Sequence, residues 1–382
     1  MTVKSADGVD LLRHLVRIDS RNPSLVPGAP GELELAAFVR DVLSGWGLEA
    51  RLQEAAPGRK NVVAILRGTG GGRSLMFNGH LDVVGVEGMT HAAFAAEERD
   101  GRIYGRGACD MKGGVAAMCA AAARLRGALK GDLIITGVVD EEWQSIGTSA
   151  LIAAGIRADA AIVTEPTRLA LMPAHKGFAW LQASIHGRAA HGSRWDIGVD
   201  AILHAGLLLA ELDRHDREEL PTRQHQLLGR PSLHASSIEG GIGLSTYPDR
   251  CVVRIERRTI PGETADDALR ELQSACERVR KNVPHFRADV DLLFAQPPSD
   301  VAADAPISQA ITSVLVHERL DADPRGMSAW TDAALLNAAG IPAVCFGPGD
   351  MGLAHAAEEY IETRDVERAT EVLVALAKAW CN

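Results

Sequence analysis

Apolar residues recur at helical spacing in Leu11, Leu12, Leu15 and Val16, and again across 31–43, so the chain opens with two amphipathic helices over 8–18 and 31–43. The pattern then changes period. Asn61-Val62-Val63-Ala64-Ile65-Leu66 and Ser74-Leu75-Met76-Phe77-Asn78 are short apolar runs on either side of the glycine-rich stretch 68–72, which reads as two strands and a turn. That glycine loop precedes a strand, so it is not a phosphate cradle. The runs 133–139 and 160–164 are continuously apolar, as expected of strands covered on both faces, with a helix near Ser149 between them. The alanine-rich stretch 115–125 is a further helix.

Between Lys176 and about Val290 the order becomes strand 178–186, helix 199–212, strand 233–238, strand 251–260, helix 263–279 and strand 286–292. This β-α-β-β-α-β succession is that of a ferredoxin-like α+β unit. From Pro297 the α/β character returns, with a helix over 307–316, a strand over 343–346 and a last helix over 365–379. The expected organisation is a discontinuous α/β domain, 1–176 and 292–382, interrupted by an inserted domain at 177–291. A length of 382 residues suits two cores.

The residues are 46% hydrophobic and 24% charged with a formal net charge of -10, which argues against nucleic acid or an anionic membrane as partner. No run approaches the roughly 18 apolar residues of a membrane helix, and the first residues lack an apolar signal core, so a cytoplasmic location is expected. The six cysteines, at 109, 119, 251, 276, 345 and 381, show no C-x-x-C spacing and are expected to be free thiols.

Chemistry concentrates where apolar runs end. His80 and Asp82 stand two residues apart at the end of one strand, where a carboxylate can take the proton of one ring nitrogen while the other binds metal. Asp110 lies thirty residues on, among glycines in Gly105-Arg106-Gly107-Ala108-Cys109-Asp110-Met111-Lys112-Gly113-Gly114, at the mouth of a helix. Asp110 is a better ligand than its neighbour Cys109. Glu141 and Glu142 follow the strand 133–139 and point differently, so one can hold a metal while the other takes a proton from water. An isolated Glu-Glu would read as a solvated helix start. Glu165, in Thr164-Glu165-Pro166, ends another strand, and His355 closes the stretch Gly347-Pro348-Gly349-Asp350-Met351-Gly352-Leu353-Ala354-His355. Two imidazoles and three carboxylates suit two zinc-like ions, with Asp110 as bridge. Gly347 to Gly352 also match the dinucleotide pattern G-x-G-x-x-G, but no second βαβ half can follow in what remains of the chain.

In this order, and with Ala190-His191 in the inserted segment, these motifs resemble the M20 family of dizinc peptidases and deacylases over nearly the whole chain. Within it, Arg257-Arg258-Thr259-Ile260-Pro261-Gly262-Glu263 and Glu165-Pro166 are most similar to the acetylornithine deacetylase and succinyl-diaminopimelate desuccinylase group. The resemblance implies a zinc-peptidase-like catalytic domain with a mixed central sheet and an inserted lid or dimerisation domain. It implies that His80, Asp110 and Glu165 hold one zinc, that Asp110, Glu142 and His355 hold the other, and that Glu141 is the base. His191 is carried over as an oxyanion-stabilising residue and Arg258 as an anchor for a substrate carboxylate. Ser245-Thr246-Tyr247-Pro248-Asp249 departs from the Asn-x-x-Pro-Asp of many relatives, and Trp330 stands where small residues are common.

The expected activity is hydrolysis of the amide of a small N-acyl amino acid, with two divalent ions, zinc or alternatively cobalt, in a homodimer joined through the inserted domain. A dipeptidase or glutamate-type carboxypeptidase would use the same residues. A non-catalytic metal-binding protein on this fold is the alternative of another class, against which the intact Glu141 argues.

Overall fold

The computed structural model of the chain describes residues 6–382, in which six strands form one sheet in the order Glu49–Ala56, Arg59–Leu66, Leu133–Val138, Leu75–His80, Ala161–Val163 and Ala343–Cys345. The last four run parallel to one another, and the first two are joined on antiparallel, so the sheet is mixed. Parallel strands place their carboxyl ends along one edge, the usual position for ligands in an open α/β sheet. His80, Glu141, Glu142 and Glu165 are at or just beyond three of those ends, and the segment leading to His355 leaves the fourth.

The apolar stripe of the opening helix, Gly8–Val16, buries Leu11, Leu12, Leu15 and Val16, and Asp7 caps it by accepting hydrogen bonds from the amides of Val9 and Asp10. Each such leucine contributes about 1.5–3 kcal/mol by leaving water. The alanine-rich helix Gly113–Arg124 is buried on every side over its first ten residues, packed against the opening helix and the last one, Thr363–Cys381. Small residues are required there. A Cβ on Gly114 would lie 2.0 Å from the carbonyl oxygen of Thr164, and one on Gly347 would lie 2.5 Å from that of Glu165. The two glycines therefore let the helix after Asp110 and the loop before His355 close on the strand end that carries Glu165.

These elements belong to a unit comprising residues up to Pro173 with Val301–Arg325 and Thr331–Asn382. The second unit is Ala174–Asp300 with Gly326–Trp330. Its four-stranded antiparallel sheet has the order Ser232–Gly240, Arg250–Thr259, Gly177–His186, Arg287–Gln296. Alternate residues Ala179, Leu181, Ala183 and Ile185 pack with the helices Ala201–Arg214 and Ala265–Asn282, giving the ferredoxin-like arrangement. The unit is wider than 177–291, because its last long strand runs to Gln296 and Ala174–His175, Ser299–Asp300 and Gly326–Met327 pair into a small sheet of their own. All six cysteines are buried free thiols. Among the described residues no helix is long and apolar enough to cross a membrane.

Candidate metal centre

The last residue of the strand Leu75–His80 is a buried imidazole held from both sides. Nδ1 of His80 lies 2.9 Å from the backbone carbonyl oxygen of Asp82, and Nε2 lies 3.0 Å from Oδ1 of Asp110. A carbonyl oxygen can only accept, so this partner assigns the ring proton to Nδ1. In the neutral ring Nε2 is then a bare lone pair aimed at a carboxylate. Only a cation between them, a proton or a metal, makes that contact favourable.

Asp110 repeats the arrangement with its other oxygen. Its Oδ2 is 3.4 Å from Nε2 of His355, which in turn is 3.0 Å from Oε2 of Glu142. One ligand atom each of His80, Asp110 and Glu142 fall within 4.8 Å of one another. Asp110 thus stands between two imidazoles, one oxygen to each, in the irregular turn 108–112 that Gly107 enters at φ 80°. Buried Glu359 fixes this turn by accepting from the amides of Cys109 and Asp110 at 3.0 and 3.1 Å, and it is paired with Arg106 at 2.7 Å. The Cys109 thiol instead donates to the carbonyl of Asp350, and burial with the nearby acids pushes it well above its usual range, which suits a packing role. His355 sits at φ 60°, an uncommon conformation for a non-glycine residue and one that recurs at functional sites.

The charges around this centre are unbalanced. Burial, then the neighbouring acids, lifts Glu141 and Glu165 well above the ordinary carboxylate range, and Glu142 less far. His355 is raised to about 10 by its hydrogen bonds to Asp110 and Glu142, which outweigh burial. Burial opposes the charge on His80, but Asp110 overcomes it and raises the ring well above its usual value. The same imidazoles, set against its own burial, hold Asp110 below its usual range. A cluster this short of positive charge binds protons or cations, because buried carboxylates are otherwise costly. Its nitrogen and oxygen donors, one imidazole Nε2 facing each oxygen of a single carboxylate, fit divalent metal.

Asp82 acts differently from the sequence reading. Its carboxylate comes only within 3.7 Å of the His80 ring, whose proton goes to the Asp82 backbone carbonyl instead. Each carboxylate oxygen accepts a backbone amide at 3.1 Å, Oδ1 from Glu141 and Oδ2 from Glu142, and Oδ2 also accepts from Asn22 at 2.8 Å. The strand Leu75–His80 has already ended at this point, so the alternation that would align the two side chains no longer applies. Asp82 therefore orients the Glu141-Glu142 pair.

His191 and Arg258 belong to the second unit. His191 is exposed, with Nδ1 2.8 Å from Oγ of Ser193. Arg258, on the strand Arg250–Thr259, is paired with Glu256 at 2.6 Å and lies over the ring of Phe178. Its neighbour Arg257 is buried against Glu263 and Glu271, so that part of the motif serves packing within the unit. After Gly347-Pro348-Gly349 the chain makes a single turn of 3-10 helix, Met351–Leu353, which is too short to offer a pyrophosphate the helix N-terminus of a dinucleotide site.

Sequence reading missed Asn22, Arg106, Glu359 and Asp332. Asp332 is buried, accepts from Thr148 at 2.7 Å, is lifted to about 6 by burial, and adds its charge to those around Glu141 and Glu165. Arg106 lies inside the glycine motif and could have been suspected; nothing in the order of residues distinguishes the other three.

The model of peptidase family M20/M25/M40 matches residues 76–379. The chain belongs to that family. It is 31% identical to the acetylornithine deacetylase of Myxococcus xanthus over 380 residues, 97% of each chain. To the N-formyl-4-amino-5-aminomethyl-2-methylpyrimidine deformylase of Halalkalibacterium halodurans it is 28% identical, over 94% of this chain and 92% of the other. In fold it is similar to a dinuclear metal-binding peptidase of the M20 family from Bacillus subtilis, with a TM-score of 0.74, 16% identity and coverage of 97% and 96%. As a member of the M20 family it is a metal-dependent hydrolase of the amidohydrolase and peptidase kind.

Proposed function

We propose that this M20 hydrolase cleaves the amide bond of small N-acyl amino acids with two divalent cations, zinc foremost and cobalt as a substitute. The observation that carries the reading is Asp110, one oxygen facing His80 and the other His355. His80, Asp110 and Glu165 would hold one ion, and Asp110, Glu142 and His355 the other. When bound, the pair supplies Lewis acidity toward the amide carbonyl and toward water.

The chain's own residues do the rest. Glu141 is half-buried, its amide is anchored on Asp82, and no hydrogen bond to another described residue ties up its carboxylate. Its free carboxylate beside the ligand Glu142 is placed to take a proton from the attacking water and deliver it to the leaving amine. His191 steadies the oxyanion, and Arg258 receives the substrate carboxylate through its planar donor fork.

The name of the Myxococcus relative supports an acylated amino acid as substrate. A screen of acetyl-, formyl- and succinyl-amino acids against dipeptides, with zinc or cobalt added, should show the larger kcat/KM for an acylated amino acid. A preference for dipeptides would move the protein to the peptidases of the family, and turnover of neither would leave it a metal-binding protein without catalysis.

The reading includes a homodimer joined through the second unit. Most of the large exposed apolar side chains lie there, among them Trp195, Leu203, Ile242 and Leu244, and the edge strand Ser232–Gly240 is hydrogen-bonded on one side only. Sedimentation at micromolar concentration should give the mass of two chains; a single-chain mass would remove the dimer.

A further inference from the structure

The Glu141-Glu142 turn is tied to a buried network in which Arg59, Glu32, Asn22 and Ser24 stand outside the family motifs. Its centre is Arg59, on the strand Arg59–Leu66, whose side chain is only 13% exposed. Nε donates to Oε2 of Glu32 at 3.1 Å and Nη2 to the other oxygen of the same carboxylate, a bidentate fork. Nη1 donates to Oδ1 of Asp140 at 2.6 Å and to Oγ of Ser24 at 3.1 Å, and Nη2 reaches Oδ1 of Asn22 at 3.3 Å. Asn22 passes the connection on, its amide donating to Asp82 at 2.8 Å and to Asp140 at 3.1 Å.

Asp140 is where this network meets the site. It has φ 67°, a left-handed conformation that a non-glycine residue keeps only when its surroundings enforce it. Its carbonyl accepts from Ser145 at 2.6 Å and from Trp143 and Gln144 at 3.3 and 3.2 Å, so the tight turn bearing Glu141 and Glu142 starts from this one residue. From Asp140 the next two side chains diverge, Glu142 toward His355 and Glu141 without a side-chain hydrogen bond to another described residue. Asp82, Asp140 and Glu32 are three buried carboxylates, and Arg59 is the guanidinium set among them. Without it, Asp140 would carry an uncompensated buried charge and would be expected to turn toward whatever other cation was nearest.

We propose that Arg59 is a positioning residue for the reaction: by bridging Glu32 to Asp140 and, through Asn22, to Asp82, it holds the Asp140 turn in the conformation that separates the base Glu141 from the ligand Glu142. The proposal rests on the assignment of Glu141 and Glu142 given above. Lysine cannot replace it, because one ammonium cannot grip both oxygens of Glu32 and still reach Asp140.

The test uses Arg59→Met and Arg59→Lys in the full chain, reconstituted with cobalt. The readouts are thermal unfolding, the visible spectrum of bound cobalt, and steady-state kinetics on the best substrate of the wild-type protein. For either variant that folds, kcat should fall about 10–100-fold, the usual range for groups that orient metal ligands, while KM stays within about twofold. The cobalt spectrum should shift as the geometry of Glu142 changes. A folded variant with wild-type kcat and an unchanged spectrum would show that Arg59 only stabilises the fold and would overturn the proposal. Arg59→Lys is the variant that remains if Arg59→Met does not fold, since it keeps the buried charge. Should wild-type protein turn over no substrate, the functional reading fails, and the cobalt spectrum alone still decides the role of Arg59.

Discussion

Glu141→Gln is expected to retain its metal and to lose roughly 10²–10⁴-fold in kcat, the range for a general acid-base group. Glutamine has the shape of glutamate but cannot take a proton at neutral pH. The backbone of residue 141 would stay anchored, because its amide bonds to Asp82 whatever the side chain is. The contacts among His80, Asp110, Glu142 and His355 do not pass through residue 141, so the ligand cluster should survive. Metal content and steady-state kinetics on one preparation check this. Turnover equal to wild type with metal bound would take Glu141 out of the mechanism.

How much of this site the sequence discloses depends on whether a residue ends an apolar run. His80 ends, and Glu141, Glu142 and Glu165 follow, strands whose side chains are buried on both faces, and a polar residue at the end of such a run stands out. Asp110 is marked by the glycines that let the chain crowd about it. The strand Glu49–Ala56 gave no such signal. It lies at the sheet edge with half-buried and exposed residues, and its glutamates, alanines and glutamine favour helices as local propensities. Tertiary pairing with Arg59–Leu66 makes it a strand.

The supporting residues were hidden for a different reason. Asn22 and Asp82 are sixty positions apart, and Cys109 and Glu359 are separated by 250, so their hydrogen bonds exist only once the sheet has brought the loops together. Strand alternation predicts a carboxylate-to-imidazole contact for Asp82, but past His80 the chain turns and presents its carbonyl in place of its carboxylate. The extent of the second unit followed the same rule: its core strands were legible, while the two-residue strands that extend it carry no periodicity of their own.

Removing divalent metal is expected to abolish hydrolysis altogether, and adding zinc or cobalt to restore it. With its ring proton on Nδ1, His80 meets Asp110 favourably through Nε2 only with a cation between them, and His355 brings its Nε2 to Asp110 and Glu142 beside it. Stripped of metal, the centre takes up protons, as the raised values of His80, His355 and Glu165 indicate, and a protonated ligand set offers neither Lewis acidity nor a shared site for water. Metal must therefore displace protons to bind, and its apparent affinity should weaken as pH falls below the value of about 10 at which His355 gives up its proton. The most direct measurement is elemental analysis of the purified chain alongside its hydrolytic rate during stepwise reconstitution after chelation. Up to two divalent ions per chain are expected, with activity that disappears on chelation and returns with occupancy; full activity in protein containing no divalent metal would contradict a metal-dependent mechanism.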